Sequence, residues 1–231
     1  MIRAELLTKT FVAPGRPVTA LDRVNLSVGQ GEFVSVVGPS GSGKSSLLFA
    51  LGGLATPTSG QVFLGGRRIY DLGQSQRAAL RRSEVGFVFQ TFNLVPYLTC
   101  AENVALPARL AGRGRAEAAE KAGRMLERLG LAVRARHRPA ELSVGERQRV
   151  GIGRVLVNGP KVLLADEPSG NLDPASAAGV MALFRELNAE GQTIVMVTHD
   201  PGLAEMAGRV VRLEAGALVE DRPSLPRKLA S

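Results

Sequence analysis

The sequence predicts an α/β fold in which a mainly parallel sheet is interrupted by a helical insert. Short β-branched runs alternate with helix-forming segments, a pattern typical of parallel sheets. A glycine-rich turn lies between one such run and a helix, and helical periodicity takes over further along the chain. We therefore expect one domain over 1–231, in which 1–90 and 159–221 form the core, 91–158 forms the insert and 222–231 is a frayed tail.

Strand signals dominate the first part of the chain. A helix is predicted over 44–51, between the glycine-rich turn and the Gly52-Gly53 pair that stops it. Gly65 and Gly66 join two short strands as a hairpin. The strands predicted in this part are 24–28, 32–37, 61–64, 67–70 and 85–89.

The insert carries helix-start signals. Thr99 is followed three residues later by Glu102, which is the spacing of a capping box that opens a helix. The same spacing separates Ser143 from Glu146. Between these two starts, a third helix is predicted because four apolar residues recur on one helical face: Ala118, Ala122, Met125 and Leu129.

Alternation of strands and helices resumes after the insert. Buried strands are predicted over 162–165 and 194–197. Each is followed by an aspartate–proline pair, at 173–174 and 200–201, which favours the start of a helix. A hairpin around Gly216 closes the fold.

A phosphate-binding loop is predicted after the strand at 32–37. Residues 38–45 read GPSGSGKS and match the pattern G-x-x-x-x-G-K-[ST]. Glycines let backbone N–H groups converge on phosphates, and the helix N-terminus adds its dipole. Lys44 would reach the β- and γ-phosphate oxygens, and the Ser45 hydroxyl would bind Mg²⁺. The sequence thus predicts a nucleoside triphosphate held by Gly38, Pro39, Ser40, Gly41, Ser42, Gly43, Lys44, Ser45 and Ser46.

An acidic pair ends the buried strand at 162–165. Asp166 and Glu167 are predicted to point into the crevice where α/β folds bind their ligands. Asp166 can hold Mg²⁺ through water, and Glu167 is placed to act as general base toward an attacking water. Acidic residues also end strands as mere solvated turns, but downstream of a phosphate loop we favour the catalytic interpretation.

Composition excludes several classes of protein. With 45% hydrophobic and 22% charged residues the chain is neither disordered nor collagen-like, and its single cysteine, Cys100, excludes a disulfide scaffold. No apolar run is long enough to span a bilayer, and early charges leave no signal-peptide core, so we expect a cytosolic protein. The net charge of +8 concentrates between Arg109 and Arg138, where nine Arg or Lys accompany three Glu. A solvated basic face and an anionic partner both remain open for this segment.

Six ordered motifs resemble those of the ABC-type ATPases, the nucleotide-binding subunits of ABC transporters. Besides the phosphate loop and the acidic pair, residues 142–149 (LSVGERQR) resemble the signature motif of this family. Gln90 follows a strand as the Q-loop glutamine does, 169–173 (SGNLD) resemble the D-loop, and His199 resembles the switch histidine. Phe11 lies where the family places an aromatic that stacks on adenine. The resemblance covers nearly the whole chain.

The resemblance implies a fold, a chemistry and an assembly. The fold is the P-loop NTPase ABC ATPase fold, with a RecA-like core, an antiparallel β subdomain and a helical signature-motif subdomain. The cofactors are ATP and Mg²⁺, and the catalytic residues are Glu167 and His199. Gln90 would join Ser45 and Asp166 at the metal. Two copies would form a head-to-tail dimer on MgATP, each nucleotide lying between one copy's phosphate loop and three signature residues of the other, Ser143, Gly145 and Glu146.

Ordinary structural alternatives exist for several of these residues. Ser143 and Glu146 could serve only to cap their helix, and Gln90 only to cap the end of its strand. Phe11 could be a core residue, and His199 could be a structural histidine. The signature also departs from the family pattern, with Val144 in place of glycine and Glu146 in place of glutamine. Gly151 and Gly153 replace alanines and would weaken their helix by roughly 1 kcal/mol each. We expect these departures to affect the rate of ATP hydrolysis more than the function itself.

Three segments indicate a subgroup within this family. Residues 85–96, 99–104 and 165–173 resemble the lipoprotein-release, macrolide-export and cell-division ATPases of bacteria. That subgroup pairs with permeases of few transmembrane helices and a large extracytoplasmic domain, so the expected partner is such a permease, gripped near 90–98. The expected location is peripheral, on the cytoplasmic face of the plasma (inner) membrane.

Other functions stay open as alternatives. An ABC importer ATPase would carry the same motifs, although the regulatory domain usual at its C-terminus is not seen in this sequence. A nucleic-acid-acting ABC ATPase would use the basic segment, but such members carry coiled coils, zinc modules or two cassettes, and no nucleic acid is expected here. A structural partner that binds ATP without hydrolysing it is disfavoured by Glu167 and His199.

Overall fold

The computed structural model describes residues 1–13 and 16–224. Within these residues two sheets and a group of helices are built from ten strands and seven α-helices, with two short 3₁₀ turns at Ala132–Arg134 and Pro139–Glu141. In chain order the elements are β1 (Ile2–Ala13), β2 (Arg16–Val28), β3 (Phe33–Val37), α1 (Lys44–Leu51), β4 (Ser59–Leu64), β5 (Arg67–Arg68), α2 (Gln74–Glu84), β6 (Val85–Val88), α3 (Cys100–Leu110), α4 (Arg115–Arg128), α5 (Val144–Leu156), β7 (Val162–Asp166), α6 (Pro174–Ala189), β8 (Thr193–Val197), α7 (Pro201–Ala204), β9 (Arg209–Glu214) and β10 (Ala217–Pro223).

The larger sheet has six strands in the order β10-β9-β3-β8-β7-β6. All neighbours pair in parallel except β10, which runs antiparallel to β9 at one edge. The predicted α/β class with a mainly parallel sheet is therefore confirmed. Because β3 and β7 are parallel and separated only by β8, the loops that follow them meet at the same edge of the sheet.

The smaller sheet is antiparallel, in the order β2-β1-β4-β5, and it covers one side of α1. The other side of α1 packs on the larger sheet, so Leu47, Leu48 and Leu51 are buried between the two sheets. Successive residues of a strand face opposite sides of a sheet. Val34 accordingly faces α1, whereas Phe33 packs against Phe184 of α6 on the far side.

The helices α3, α4 and α5 bury a core of their own, which includes Cys100, Val104, Ala118, Ala122, Leu126 and Val150. Both predicted capping boxes are formed. The Thr99 and Ser143 side chains accept the backbone N–H groups of Glu102 and Glu146, and each glutamate accepts the N–H of its cap residue in return.

Helix α2 and the end of the chain differ most from the sequence predictions. Helix α2 was not predicted, because its sequence QSQRAALRRSE has no apolar period and buries only Leu80 and Glu84. Glu84 is held by ion pairs with Arg67 and Lys161, which replace the missing apolar contacts. The frayed tail predicted from residue 222 is wrong at its start, since β10 pairs through Pro223 with Arg209. Residues 225–231 of that tail lie outside the described residues.

No helix in the described part of the chain combines the length and apolar character that crossing a membrane requires.

Candidate functional site

The phosphate loop wraps from the end of β3 into the start of α1. Its three glycines adopt positive φ angles: 153° at Gly38, 78° at Gly41 and 102° at Gly43. A Cβ atom on Gly38 would lie 2.1 Å from the Leu213 carbonyl oxygen, and one on Gly43 would lie 2.0 Å from that of Ala20. Glycine is therefore required here both for the backbone conformation and for the close approach of neighbouring strands.

The loop presents hydrogen-bond donors toward its interior. The Lys44 side chain is buried and its Nζ donates to the carbonyl oxygens of Gly38 and Pro39, each at 2.9 Å. An ammonium group has three N–H donors, so one remains for a phosphate oxygen. The Ser42 hydroxyl is also buried, and it has no hydrogen-bond partner among the described residues. Pro39, Ser40 and Gly41 are exposed and form the loop's outer rim.

The acidic end of β7 contacts the start of α1. The Ser45 hydroxyl donates to Asp166 Oδ1 at 3.0 Å, across 121 residues of sequence. Burial raises the pKa of Asp166; the adjacent Glu167 also raises it, while the Ser45 hydrogen bond and the Lys44 charge lower it. A cation placed at these oxygens would reverse the effect of burial by favouring the carboxylate.

Glu167 and His199 form the second part of the site. Glu167 Oε2 lies 2.9 Å from His199 Nδ1, and the Glu167 side chain is only 17% exposed whereas that of His199 is 68% exposed. Glu167 has a φ of 47°, a conformation that is unfavourable for a residue with a side chain. Its N–H donates to the Val197 carbonyl at 3.0 Å, which holds this backbone in place.

Gln90 lies beside the D-loop. Its Nε2 donates to Asn171 Oδ1, and Asn171 Nδ2 donates back to the Gln90 carbonyl oxygen, both at 3.3 Å. A Cβ on Gly170 would lie 2.9 Å from Gln90 Nε2. Asn171 was not predicted to be a site residue. The two residues are 81 positions apart, and no local pattern predicts their pairing.

The signature residues lie at the start of α5. Ser143 is exposed and its hydroxyl accepts the Glu146 N–H at 3.2 Å, which leaves its own hydrogen free to donate. Gly145 is buried, and a Cβ there would lie 2.6 Å from Ser176 Oγ at the beginning of α6, so a larger residue would press on that helix. Within the described residues, no hydrogen bond or ion pair joins Ser143–Glu146 to the chain's own phosphate loop.

Glu146 is engaged within its own chain at both carboxylate oxygens. Oε2 accepts the Ser143 N–H at 2.8 Å, and Oε1 accepts Arg134 Nε at 2.9 Å. The Ser143 N–H is the main cause that lowers the pKa of Glu146; Arg134 lowers it further, against a partial burial that raises it. The charge that this departure introduces into the signature is thus compensated by an arginine 12 residues upstream.

Replacing Glu146 with glutamine should lower the free energy of unfolding by about 0.2–1 kcal/mol at pH 7, because glutamine keeps the cap but loses the ion pair. A lowered carboxylate pKa contributes stability that is present above the ordinary value of 4.5 and is lost as the pH falls through the folded-state value. The difference between the two proteins should therefore shrink at acid pH. Urea unfolding across this pH range measures it.

The matched control for this substitution is Arg134→Met. In that background Glu146→Gln should have a smaller effect at pH 7, since only the charge-assisted hydrogen bond from the Ser143 N–H is still weakened. An undiminished effect in the Arg134→Met background, or a difference that grows as the pH falls, would contradict the assigned ion pair.

Phe11 projects from β1 on the hairpin that borders the phosphate loop. Its side chain is 46% exposed, so the alternative of an apolar core residue is excluded. The Lys9 amino group lies 4.9 Å from the centre of its ring and donates to the Thr56 carbonyl. Phe11 pairs with Val18, two residues before the Ala20 carbonyl that borders Gly43. An exposed ring near a phosphate loop is suited to stacking on a base.

Two grooves flank His199. One, of about 480 Å³, lies between the phosphate loop, α7 and the β9–β10 edge. The other, of about 440 Å³, lies between the D-loop, α6 and α7, and Glu167 lines it. The exposed His199 imidazole is therefore accessible from both sides of the site.

Comparison with known proteins identifies the family to which the chain is similar. A family model described as ABC transporter matches residues 21–170. The chain is 47% identical over 225 residues to the lipoprotein-releasing system ATP-binding protein LolD of Xanthomonas euvesicatoria, which covers 97% of this chain and 92% of that protein. It is 46% identical over 224 residues to the macrolide export ATP-binding/permease protein MacB of Burkholderia cenocepacia. That match covers 97% of this chain, which spans about a third (33%) of the length of the MacB protein.

Solved structures give the same picture. The dimeric structure of the ATP-binding cassette MJ0796 in a post-hydrolysis state bound to ADP and Pi superposes with a TM-score of 0.90 at 39% identity, covering 98% of this chain and all (100%) of that one. CbiO1 from Clostridium perfringens, part of the ABC transporter complex cbiONQ, superposes with a TM-score of 0.86 at 28% identity, covering 96% and 88%. The chain therefore belongs to the ABC transporter family, and LolD and MacB are among the ATP-binding proteins that it resembles.

Proposed function

We propose that this cassette hydrolyses MgATP as a head-to-tail dimer on the cytoplasmic face of the plasma membrane, and that it drives a permease with few transmembrane helices and a large extracytoplasmic domain. The observation that carries the proposal is the contact between Glu167 and His199 at 2.9 Å, at the same sheet edge as the phosphate loop. This contact joins a candidate base to a group able to hold the γ-phosphate.

ATP binding is supported along the length of the nucleotide. The backbone N–H groups of residues 38–46 and the free donor of Lys44 would hold the phosphates, and the N-terminus of α1 points its dipole at them. Ser42 would gain the hydrogen-bond partner that its buried hydroxyl lacks. Phe11 would stack on the base.

The residues at the metal position fit Mg²⁺. Ser45 Oγ and Asp166 Oδ1, 3.0 Å apart, are hard oxygen donors of the kind that this ion prefers, and the Gln90 side chain would add an amide oxygen. When bound, Mg²⁺ would neutralise charge on the β- and γ-phosphates. Asp166 would then be held as the carboxylate, despite the burial that raises its pKa.

Glu167 and His199 would divide the catalytic work. Glu167 would accept the proton of the attacking water, because its carboxylate is mostly shielded and held by a fixed backbone. His199 is exposed and would donate a hydrogen bond to the γ-phosphate as that group gains charge. In this arrangement the histidine also orients the glutamate.

A second copy would complete each site. Ser143 and the N–H groups at the start of α5 offer donors to a γ-phosphate, yet they make no link to their own phosphate loop within the described residues. Pairing two chains head to tail would bring each signature to the other chain's nucleotide. The dimeric state of the MJ0796 cassette supports this assembly.

The membrane partner is proposed from the relatives. LolD belongs to a lipoprotein-releasing system and MacB to macrolide export, which supports a permease of that kind for this chain. The segment over 90–98, between the core and the helical insert, is the proposed grip for a cytoplasmic helix of the permease. Closure of the dimer would rotate the insert and move that helix.

The test is affinity purification of the Glu167→Gln protein with ATP from detergent-solubilised membranes, followed by mass spectrometry. A few-helix permease with a large extracytoplasmic domain is expected. A many-helix import permease would overturn the subgroup, and nucleic acid without any membrane protein would overturn the transport function. The Lys44→Ala protein, purified in parallel, controls for contacts that do not depend on ATP.

A further inference from the structure

Helix α5 holds two loops of the site at once. Gln148 is buried, and its Nε2 donates to the Pro168 carbonyl at 2.6 Å, directly after Glu167. Two turns later, the Arg154 guanidinium donates to the carbonyl oxygens of Asn93 at 2.5 Å and Phe92 at 3.0 Å. Phe92 and Asn93 follow Gln90 by two and three positions, respectively. The helix that begins with the signature motif is thus bonded both to the residue that precedes the D-loop and to the segment 90–93, here called the Q-loop.

The Q-loop packs closely on this helix. The Arg147 guanidinium lies 5.7 Å from the centre of the Phe92 ring, on the same helix face as Arg154. A Cβ on Gly151, between the two arginines, would lie 3.5 Å from the Phe92 carbonyl oxygen, so the backbone of the loop rests directly on the helix. Asn93 has a φ of 49°, in the left-handed region that asparagine adopts more readily than other residues with a side chain.

Arg154 makes this attachment without a counter-ion. Within the described residues it forms no ion pair, and burial lowers the pKa of its guanidinium. Its stabilisation comes from two successive carbonyl groups, one on each terminal nitrogen. A planar guanidinium that bridges adjacent carbonyls fixes the orientation of both peptide groups, whereas a lysine ammonium acts as a point charge.

We propose that Arg154 is a positioning residue that acts through Gln90 and makes the placement of Gln90 depend on the position of the signature helix. The inference rests on the proposed role of Gln90 at the nucleotide. Because the signature of one chain would bind the nucleotide of its partner, Arg154 connects occupancy of the partner's site to the geometry of the chain's own site. The Gln90–Asn171 pair extends the connection to the D-loop.

A double-mutant cycle tests the proposal by ATP turnover. Arg154→Met removes the guanidinium fork that donates to the two carbonyl groups but keeps a long apolar side chain. We expect kcat to fall between about 10- and 100-fold, with KM for ATP little changed. Gln90→Ala should lower kcat similarly, and the double substitution should be no worse than Gln90→Ala alone. The proposal would be overturned if the losses of kcat in the two single substitutions multiplied in the double substitution. Turnover at the wild-type rate in Arg154→Met would overturn it as well. Full activity in Arg154→Lys would overturn the role of the fork.

Hydrogen exchange supplies a readout that does not need turnover. Arg154→Met should speed exchange of the Val95 amide, which donates to Asn103 Oδ1 at 2.8 Å and is the first hydrogen-bonded amide after Phe92 and Asn93, with the melting temperature checked to exclude general unfolding. The matched control is Arg128→Met, which removes the arginine that links α4 to Glu186 of α6 and to Glu190 directly after that helix. Unchanged exchange of the Val95 amide in Arg154→Met, or an equal rise in Arg128→Met, would overturn the proposal. A wild type that fails to hydrolyse ATP would instead count against the proposed function.

Discussion

Nucleotide binding is expected to be lost when Lys44 is replaced by alanine. Lys44 Nζ is held inside the loop by the carbonyl groups of Gly38 and Pro39, with its remaining donor available to phosphate. A charge-assisted hydrogen bond contributes about 1.5–3 kcal/mol, and the buried site strengthens it. The substitution also leaves two loop carbonyls without their donor. We therefore expect ATP affinity to fall by at least about 100-fold, measured by calorimetric titration.

The control is Lys161→Ala, because Lys161 is exposed and pairs with Glu84 at the opposite end of the parallel strands. That protein should bind ATP like the wild type. An affinity for ATP that stays within a few-fold of wild type in Lys44→Ala would show that the loop binds phosphate through its backbone alone. The assigned role of Lys44 would then be wrong.

Glu167→Gln is expected to bind ATP and accumulate as a closed dimer while turnover falls by about 100- to 10,000-fold. Glutamine has nearly the same shape as glutamate, so the strained backbone at this position and its bond to the Val197 carbonyl should persist. The amide oxygen can still accept a hydrogen bond from His199. The amide cannot take a proton from water, and hydrolysis therefore stops at the bound ATP. Phosphate release and size-exclusion chromatography with ATP measure the two effects.

Glu127→Gln provides the comparison for this substitution. Glu127 is an exposed carboxylate on α4, distant in sequence from both the phosphate loop and the Asp166–Glu167 pair. Its removal should change neither turnover nor dimer formation. Turnover by Glu167→Gln equal to that of the wild type would refute the general-base role, and loss of ATP binding would show that the carboxylate has a structural role in the site instead.

The fold was predictable where a local signal has a direct physical cause. The phosphate-loop helix spans Lys44–Leu51 as predicted, because glycines bound it on both sides. Asp173 and Ser143 begin their helices as predicted, since each side chain accepts an N–H of the first turn. Helix α2 was missed because its stability depends on ion pairs from Glu84 to Arg67 and Lys161, neither of which lies in the helix itself.

The site residues also divide into those that the sequence could predict and those that it could not. The phosphate loop and the Asp166–Glu167 pair could be selected from sequence, because their residues are contiguous and their spacing carries the chemistry. Asn171, Arg134 and Arg154 could not be selected. Each contacts its partner from a distant part of the chain or from a neighbouring element, and arginine and asparagine are common on any surface.

By itself, the sequence determined which chemistry this protein carries and the order in which its motifs occur, because glycine torsions, helix caps and buried strands are local properties of the chain. Tertiary structure decided which of these residues meet. The Ser45–Asp166 and Gln90–Asn171 contacts span 121 and 81 residues and exist only because parallel strands bring their carboxyl ends to one edge. The contacts of Arg154 with Asn93 and Phe92 likewise join residues 61 and 62 positions apart. They depend on how helix α5 packs against the segment after β6, which is a balance of many weak contacts that no single segment encodes.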